Sequence, residues 1–119
     1  MKKIIFVSLI AFASVNAFAQ TPIAVKDAAK HVNEKVTICD KIFGGKFLDE
    51  ARITFLNMGA DYPNSPLTLV IKGDDRKKFK TPEEAFKGKQ VCVTGTIIMY
   101  KGKPEIEITE AEQIKFNDK

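Results

Sequence analysis

Thr81-Pro82-Glu83-Glu84 is the one internal helix start in a chain otherwise built from short β-branched runs. Threonine suits the N-cap, and proline suits the first helical position, where its missing N–H would have no partner anyway. Three strand-like runs precede it. Val36 to Phe43 is predicted to break at Gly44-Gly45. Arg52 to Met58 stops at Gly59, before Tyr62-Pro63-Asn64-Ser65-Pro66, whose prolines remove ladder donors. Leu67 to Lys72 closes at Gly73-Asp74-Asp75. After the helix start come Lys89 to Tyr100 and Pro104 to Ile108, a hairpin turning at Lys101-Gly102-Lys103. Ile114 to Phe116 extends or follows the last strand. Ahead of all of these, Val25, Ala28, Ala29 and Val32 fall at helical spacing and predict a short amphipathic helix ending near Asn33.

Residues 1–19 stand apart from this pattern. Lys2 and Lys3 precede an apolar run from Ile4 to Val15 that ends in Ala17-Phe18-Ala19, the form of a secretory signal cut before Gln20. The run is too short for a membrane span, and no cysteine stands at the cut to accept a lipid. The expectation is a soluble monomer in the periplasm or outside the cell, with residues 20–119 as a single domain. Of the 19 basic residues, 17 remain after cleavage against 15 acidic, so the working charge is near +2 rather than +4. In an oxidising compartment an even number of cysteines favours a disulfide over a metal or redox site. Cys39 and Cys92 each lie between strand residues whose alternation sends valine and isoleucine to one face and the thiol to the other.

Five strands with the internal helix between the third and fourth give an all-β chain with minor helix. The element order is that of the OB-fold, a five-stranded Greek-key barrel. An SH3-like barrel would not carry that helix, and a β-sandwich tends to need about seven strands.

The runs KHVNEKVTICDKI, ITFLNMGADYPNSPLTLVI and FKGKQVCVTGTIIMYKGKPEIEI resemble the small OB-fold, nucleic-acid-binding-like domains of exported bacterial proteins, including those attached to secreted nucleases. The resemblance spans about Val25 to Phe116 and rests on TFLN-x-G, the Tyr-Pro after it, and the GK-x-V-x-V-x-G…Y-x-G-x-P-x-I hairpin. It implies that strands one and four are antiparallel neighbours, which would put Cys39 and Cys92 on one face and in reach of a disulfide.

Few residues suggest catalysis. His31 is the single histidine and has no metal or nucleophile partner nearby in sequence. Asp74-Asp75 reads as a solvated turn, and Glu105, Glu107, Glu110 and Glu112 as the wet face of a strand. A non-enzyme without metal or cofactor is therefore expected. OB-folds bind oligonucleotides or oligosaccharides over strands two and three and the adjoining loops. That location selects Lys46, Arg52, Tyr100, Lys101 and Lys103 as candidate ligand contacts, since single-stranded nucleic acid needs cations for phosphates and aromatic faces for bases. Phe55, Phe79 and Phe86 read as core, and Tyr62 as part of the Tyr-Pro turn. Seven basic residues against four acids between positions 72 and 89 read as a solvated surface. Two readings follow: a module for single-stranded nucleic acid, or one for an oligosaccharide, a small envelope ligand or an envelope protein.

Overall fold

The computed structural model describes residues 21–117; the predicted signal segment and its cleavage site lie outside the described residues. The β-branched runs form six strands: β1 (Lys35–Leu48), β2 (Ile53–Met58), β3 (Leu67–Lys72), β4 (Gln90–Tyr100), β5 (Lys103–Glu107) and β6 (Ile114–Phe116). Their order is β1-β2-β3-β5-β4-β6, and β1 also pairs with β4. Five strands thus close on themselves while β6 adds to the outer side of β4. All pairings are antiparallel except β3 with β5. With α1 (Pro82–Ala85) between β3 and β4, this is the OB-fold.

Closure depends on β1, which serves both halves of the barrel. Lys35 to Lys41 pair with β4 and Ile42 to Leu48 with β2, the register shifting between Ile42 and Gly44. Gly44-Gly45, expected to end the strand, instead lets it bend. A Cβ on Gly45 would stand 2.6 Å from the Phe55 carbonyl oxygen and 2.8 Å from Leu56 Cδ2, so only a bare backbone passes this close at the bulge.

Inward-facing residues fill the barrel. Ile38, Ile42, Leu56, Leu69, Ile71, Val91, Val93, Ile97 and Ile106 are fully buried, each full burial being worth about 1.5–3 kcal/mol. The predicted N-terminal helix is a 3-10 turn, Val25–His31, with Val25 and Ala28 buried but Ala29 exposed. It packs against β1, β3, β4 and β5 and so covers one mouth of the barrel. Single bridges from Ile23 to Ile38 and from Val32 to Ile97 pin its two ends to different strands. A 3-10 turn rises about 2.0 Å per residue against 1.5 Å for an α-helix, which suits a short segment stretched between fixed points.

Cys39 and Cys92 are register partners on β1 and β4, their Cα atoms 3.9 Å apart, and are joined by a disulfide. One step along the same face, the hydroxyls of Thr37 and Thr94 are hydrogen-bonded at 2.9 Å.

Much of the basic segment is engaged in ion pairs. Lys77 lies 3.7 Å from Asp74, Lys78 3.3 Å from Asp75 and 3.6 Å from Glu110, and Lys72 3.9 Å from Glu107. Arg76 Nη2 donates to Glu83 Oε2 at 2.7 Å, binding the turn after β3 to α1.

Candidate ligand-binding groove

Register alone lays out the outer face of β2, β3 and β5. Lys46, Phe55, Val70 and Glu107 form one row across the strands; Gly44, Asn57, Thr68, Glu105 and Ile98 form the next. Of these, Gly44, Lys46, Phe55, Asn57, Thr68 and Glu105 floor a groove of about 870 Å³, walled by α1 and Lys87, by the β2–β3 loop at Asp61, Tyr62 and Ser65, and by the β4–β5 turn. At that turn Lys101 and Gly102 both have positive φ, 50° and 80°, the conformation that makes a two-residue hairpin follow the strand twist.

Aromatic rings stand open around the groove. Tyr62 is 75% exposed, Tyr100 55% and Phe43 37%. Each has an ammonium near its face: Lys103 Nζ is 6.0 Å from the Tyr62 centroid, Lys101 Nζ 5.4 Å from Tyr100 and Lys41 Nζ 5.0 Å from Phe43. Lys103 Nζ also donates to the Pro63 carbonyl at 3.0 Å, tying the hairpin turn to the β2–β3 loop.

Of the residues selected from sequence, Lys46, Tyr100, Lys101 and Lys103 come together in this groove. Arg52 does not. It occupies the turn before β2 with φ 57° and donates to Asp74 Oδ1 at 2.8 Å. That hydrogen bond, with the charges of Lys77 and Arg52, holds the Asp74 carboxyl below its ordinary value. Phe55, expected in the core, is half-buried and lines the groove, because its position in β2 faces outward between buried Thr54 and Leu56. Phe86 is buried in the core, with Phe79 half-buried against it.

Glu105 is no simple wet-face residue. It lies half-buried on the groove floor, where burial pushes its carboxyl up and the charge of Lys72 pulls it partly back. Asn57 and Thr68 also line the floor, and nothing in the sequence marks them apart from other polar residues of a strand. The groove's charges balance: Lys46, Lys87, Lys101 and Lys103 face Asp61, Glu83, Glu84 and Glu105.

No protein-family model matches the chain, and no curated protein matches it in sequence. Solved structures do match in fold. Aspartyl-tRNA synthetase from Entamoeba histolytica is similar with a TM-score of 0.62 at 10% identity, over 86% of this chain and 22% of its own. Asparaginyl-tRNA synthetase from Pyrococcus horikoshii is similar with a TM-score of 0.53 at 13% identity, over 80% of this chain and 22% of its own. The OBody AM1L10, bound to hen egg-white lysozyme, has a TM-score of 0.61 at 14% identity, over 86% of this chain and 98% of its own. The chain thus spans about a fifth of the two synthetases and the OBody nearly end to end. The likeness is one of fold. Among the described residues no helix is long and apolar enough to cross a membrane.

Proposed function

We propose that this chain is an exported, monomeric, non-enzymatic OB-fold module whose groove binds a short stretch of single-stranded nucleic acid, in keeping with its resemblance to OB domains attached to secreted nucleases. The observation that carries this reading is the set of three exposed rings around one groove, each with a lysine ammonium beside it. Stacked bases gain about 1–3 kcal/mol each on such rings, and the lysines meet the phosphates between them. That two of the structural neighbours are tRNA synthetases supports it. Fluorescence anisotropy with a labelled oligothymidylate tests it. Micromolar or tighter binding is expected at about 50 mM salt. Contacts from Lys46, Lys101 and Lys103 should give a slope of log K on log salt near −2, at about −0.7 per phosphate. No binding, or a flat salt response, overturns the reading. Export is tested by sequencing the N-terminus of the protein from the periplasmic or culture fraction, where Gln20 is expected first.

The balanced charge of the groove favours a second reading, an oligosaccharide, small envelope ligand or envelope protein as the occupant, and an OBody of the same fold bound to lysozyme supports the protein case. Such binding would persist at high salt, because it releases few counterions.

A further inference from the structure

Three polar side chains share one row of the groove floor. Asn57 on β2 is the register partner of Thr68 on β3, and Thr68 of Glu105 on β5. Asn57 is only 8% exposed. Its Oδ1 accepts from Ser65 Oγ at 3.4 Å, while its Nδ2 has no protein partner among the described residues. The Thr68 hydroxyl and the Glu105 carboxylate likewise have no hydrogen-bond partner there, Lys72 acting on Glu105 through its charge. Asn57 is nearly buried and Thr68 and Glu105 are half-buried, and none of their unpaired atoms is sealed from solvent. Polar groups this far out of water are normally paired; here three in a row are left open to one groove.

The row runs from a free amide donor, past a hydroxyl that can donate or accept, to a carboxylate that only accepts. Strands about 4.8 Å apart put Asn57 and Glu105 roughly 10 Å apart along the backbone. Side chains of one face stand roughly perpendicular to the sheet, so the row presents its three polar groups over a span on the scale of one base lying across the strands. Guanine carries an acceptor, O6, followed by two donors, N1–H and N2–H₂, in the complementary order. Adenine and cytosine offer one amino donor beside a ring-nitrogen acceptor that would face the carboxylate. Thymine and uracil flank their single N–H with carbonyls.

We infer that this row reads guanine in a bound single strand: Glu105 accepts from N1–H and N2–H₂, the Asn57 amide donates to O6, and Thr68 completes the row. The inference rests on the proposed nucleic-acid function. Lys103, two residues before Glu105 on β5 and in the same groove, is placed to take a flanking phosphate.

Pentamers dT–dT–X–dT–dT, with X as guanine, hypoxanthine, adenine, cytosine or thymine, test it with the unaltered, oxidised protein. A bidentate pairing of this kind discriminates by about tenfold. Guanine should therefore bind about tenfold more tightly than adenine, cytosine or thymine, and hypoxanthine, which lacks the N2 amino group, should fall between. Glu105→Gln, which keeps the side-chain shape, should bring all five within about threefold of one another. Equal affinities for all five in the unaltered protein overturn the guanine assignment and leave the proposed function standing. Absence of binding by every pentamer at about 50 mM salt overturns both.

Discussion

The guanidinium carbon of Arg76 lies 3.8 Å from the centre of the Phe47 ring. From that position Nε donates to the hydroxyl of fully buried Thr54 at 3.1 Å and Nη2 to Glu83. Phe47 and Thr54 are register partners on β1 and β2, so one side chain joins two barrel strands to α1. Four residues are too few to hold a helix by themselves. The wall that α1 gives the groove is held by this tether together with buried Pro82 and Phe86.

Arg76→Met keeps the stem on Phe47 but strands the Glu83 carboxylate, whose Oε1 is already buried without a partner. Both members of the pair are mostly buried. Urea denaturation should show a loss of roughly 2–4 kcal/mol, approaching the range for breaking buried pairs, and Glu83→Gln a smaller loss of about 1–2 kcal/mol. Losses below about 0.5 kcal/mol for both would show that α1 is held by something else.

The disulfide joins residues 53 positions apart. On the chain-entropy account, closing such a loop is worth up to about 4 kcal/mol. A Cys39→Ala, Cys92→Ala double variant should lower the urea midpoint by a corresponding amount, and reductant should lower that of the parent but not of the variant. A parent indifferent to reductant would contradict the bond.

How far these features could be read in advance varied with their dimensionality. β2, β3 and the β4–β5 hairpin lie between glycines and prolines that act locally, so their limits followed from punctuation. The Cys39–Cys92 pairing follows from the antiparallel neighbouring of strands one and four that the OB-fold resemblance implies. Gly44-Gly45 misled because a glycine pair looks the same whether a chain stops or bends; the deciding facts, the nearness of Phe55 and Leu56, belong to another strand. Phe55 misled because an aromatic residue in a strand carries no mark of its face. Asn57, Thr68 and Glu105 are scattered over 49 positions, and only cross-strand register puts them in one row.

Tyr62 and Tyr100 are open to solvent, so truncation should act on binding rather than on folding. Tyr62→Ala and Tyr100→Ala should each weaken oligonucleotide binding by about 1–2 kcal/mol with urea midpoints close to the parent's. Lys101→Ala and Lys103→Ala should each flatten the salt slope by a little under one unit. Tyrosine variants that bind as the parent does would remove stacking from the account.

Burial raises the Glu105 carboxyl above its ordinary value of 4.5 in the folded protein, with Lys72 opposing the shift. The folded state therefore holds this proton more tightly than the unfolded one. Its favourable contribution is complete below about pH 4.5 and is lost as pH rises through the folded value. Compared with Glu105→Gln, which does not titrate, the parent should lose ground over that interval and not below it. Carboxyl-carbon NMR should place the Glu105 midpoint above 4.5, and higher still in Lys72→Met. A midpoint at or below 4.5 would mean that the floor is wetter than its burial indicates.

Because β1 pairs with β2 nearby and with β4 some fifty residues later, its two halves become ordered at different stages. The β1–β2–β3 meander can assemble from short-range contacts, whereas Lys35 to Lys41 must wait for residues 90–96, at the entropic expense of closing a long loop. Cys39 lies in the half that waits. Cys39 and Cys92 are the chain's two cysteines, so their bond joins the waiting half of β1 to β4 whenever it forms, and formed early it would shorten the loop that closure of the ring still has to span.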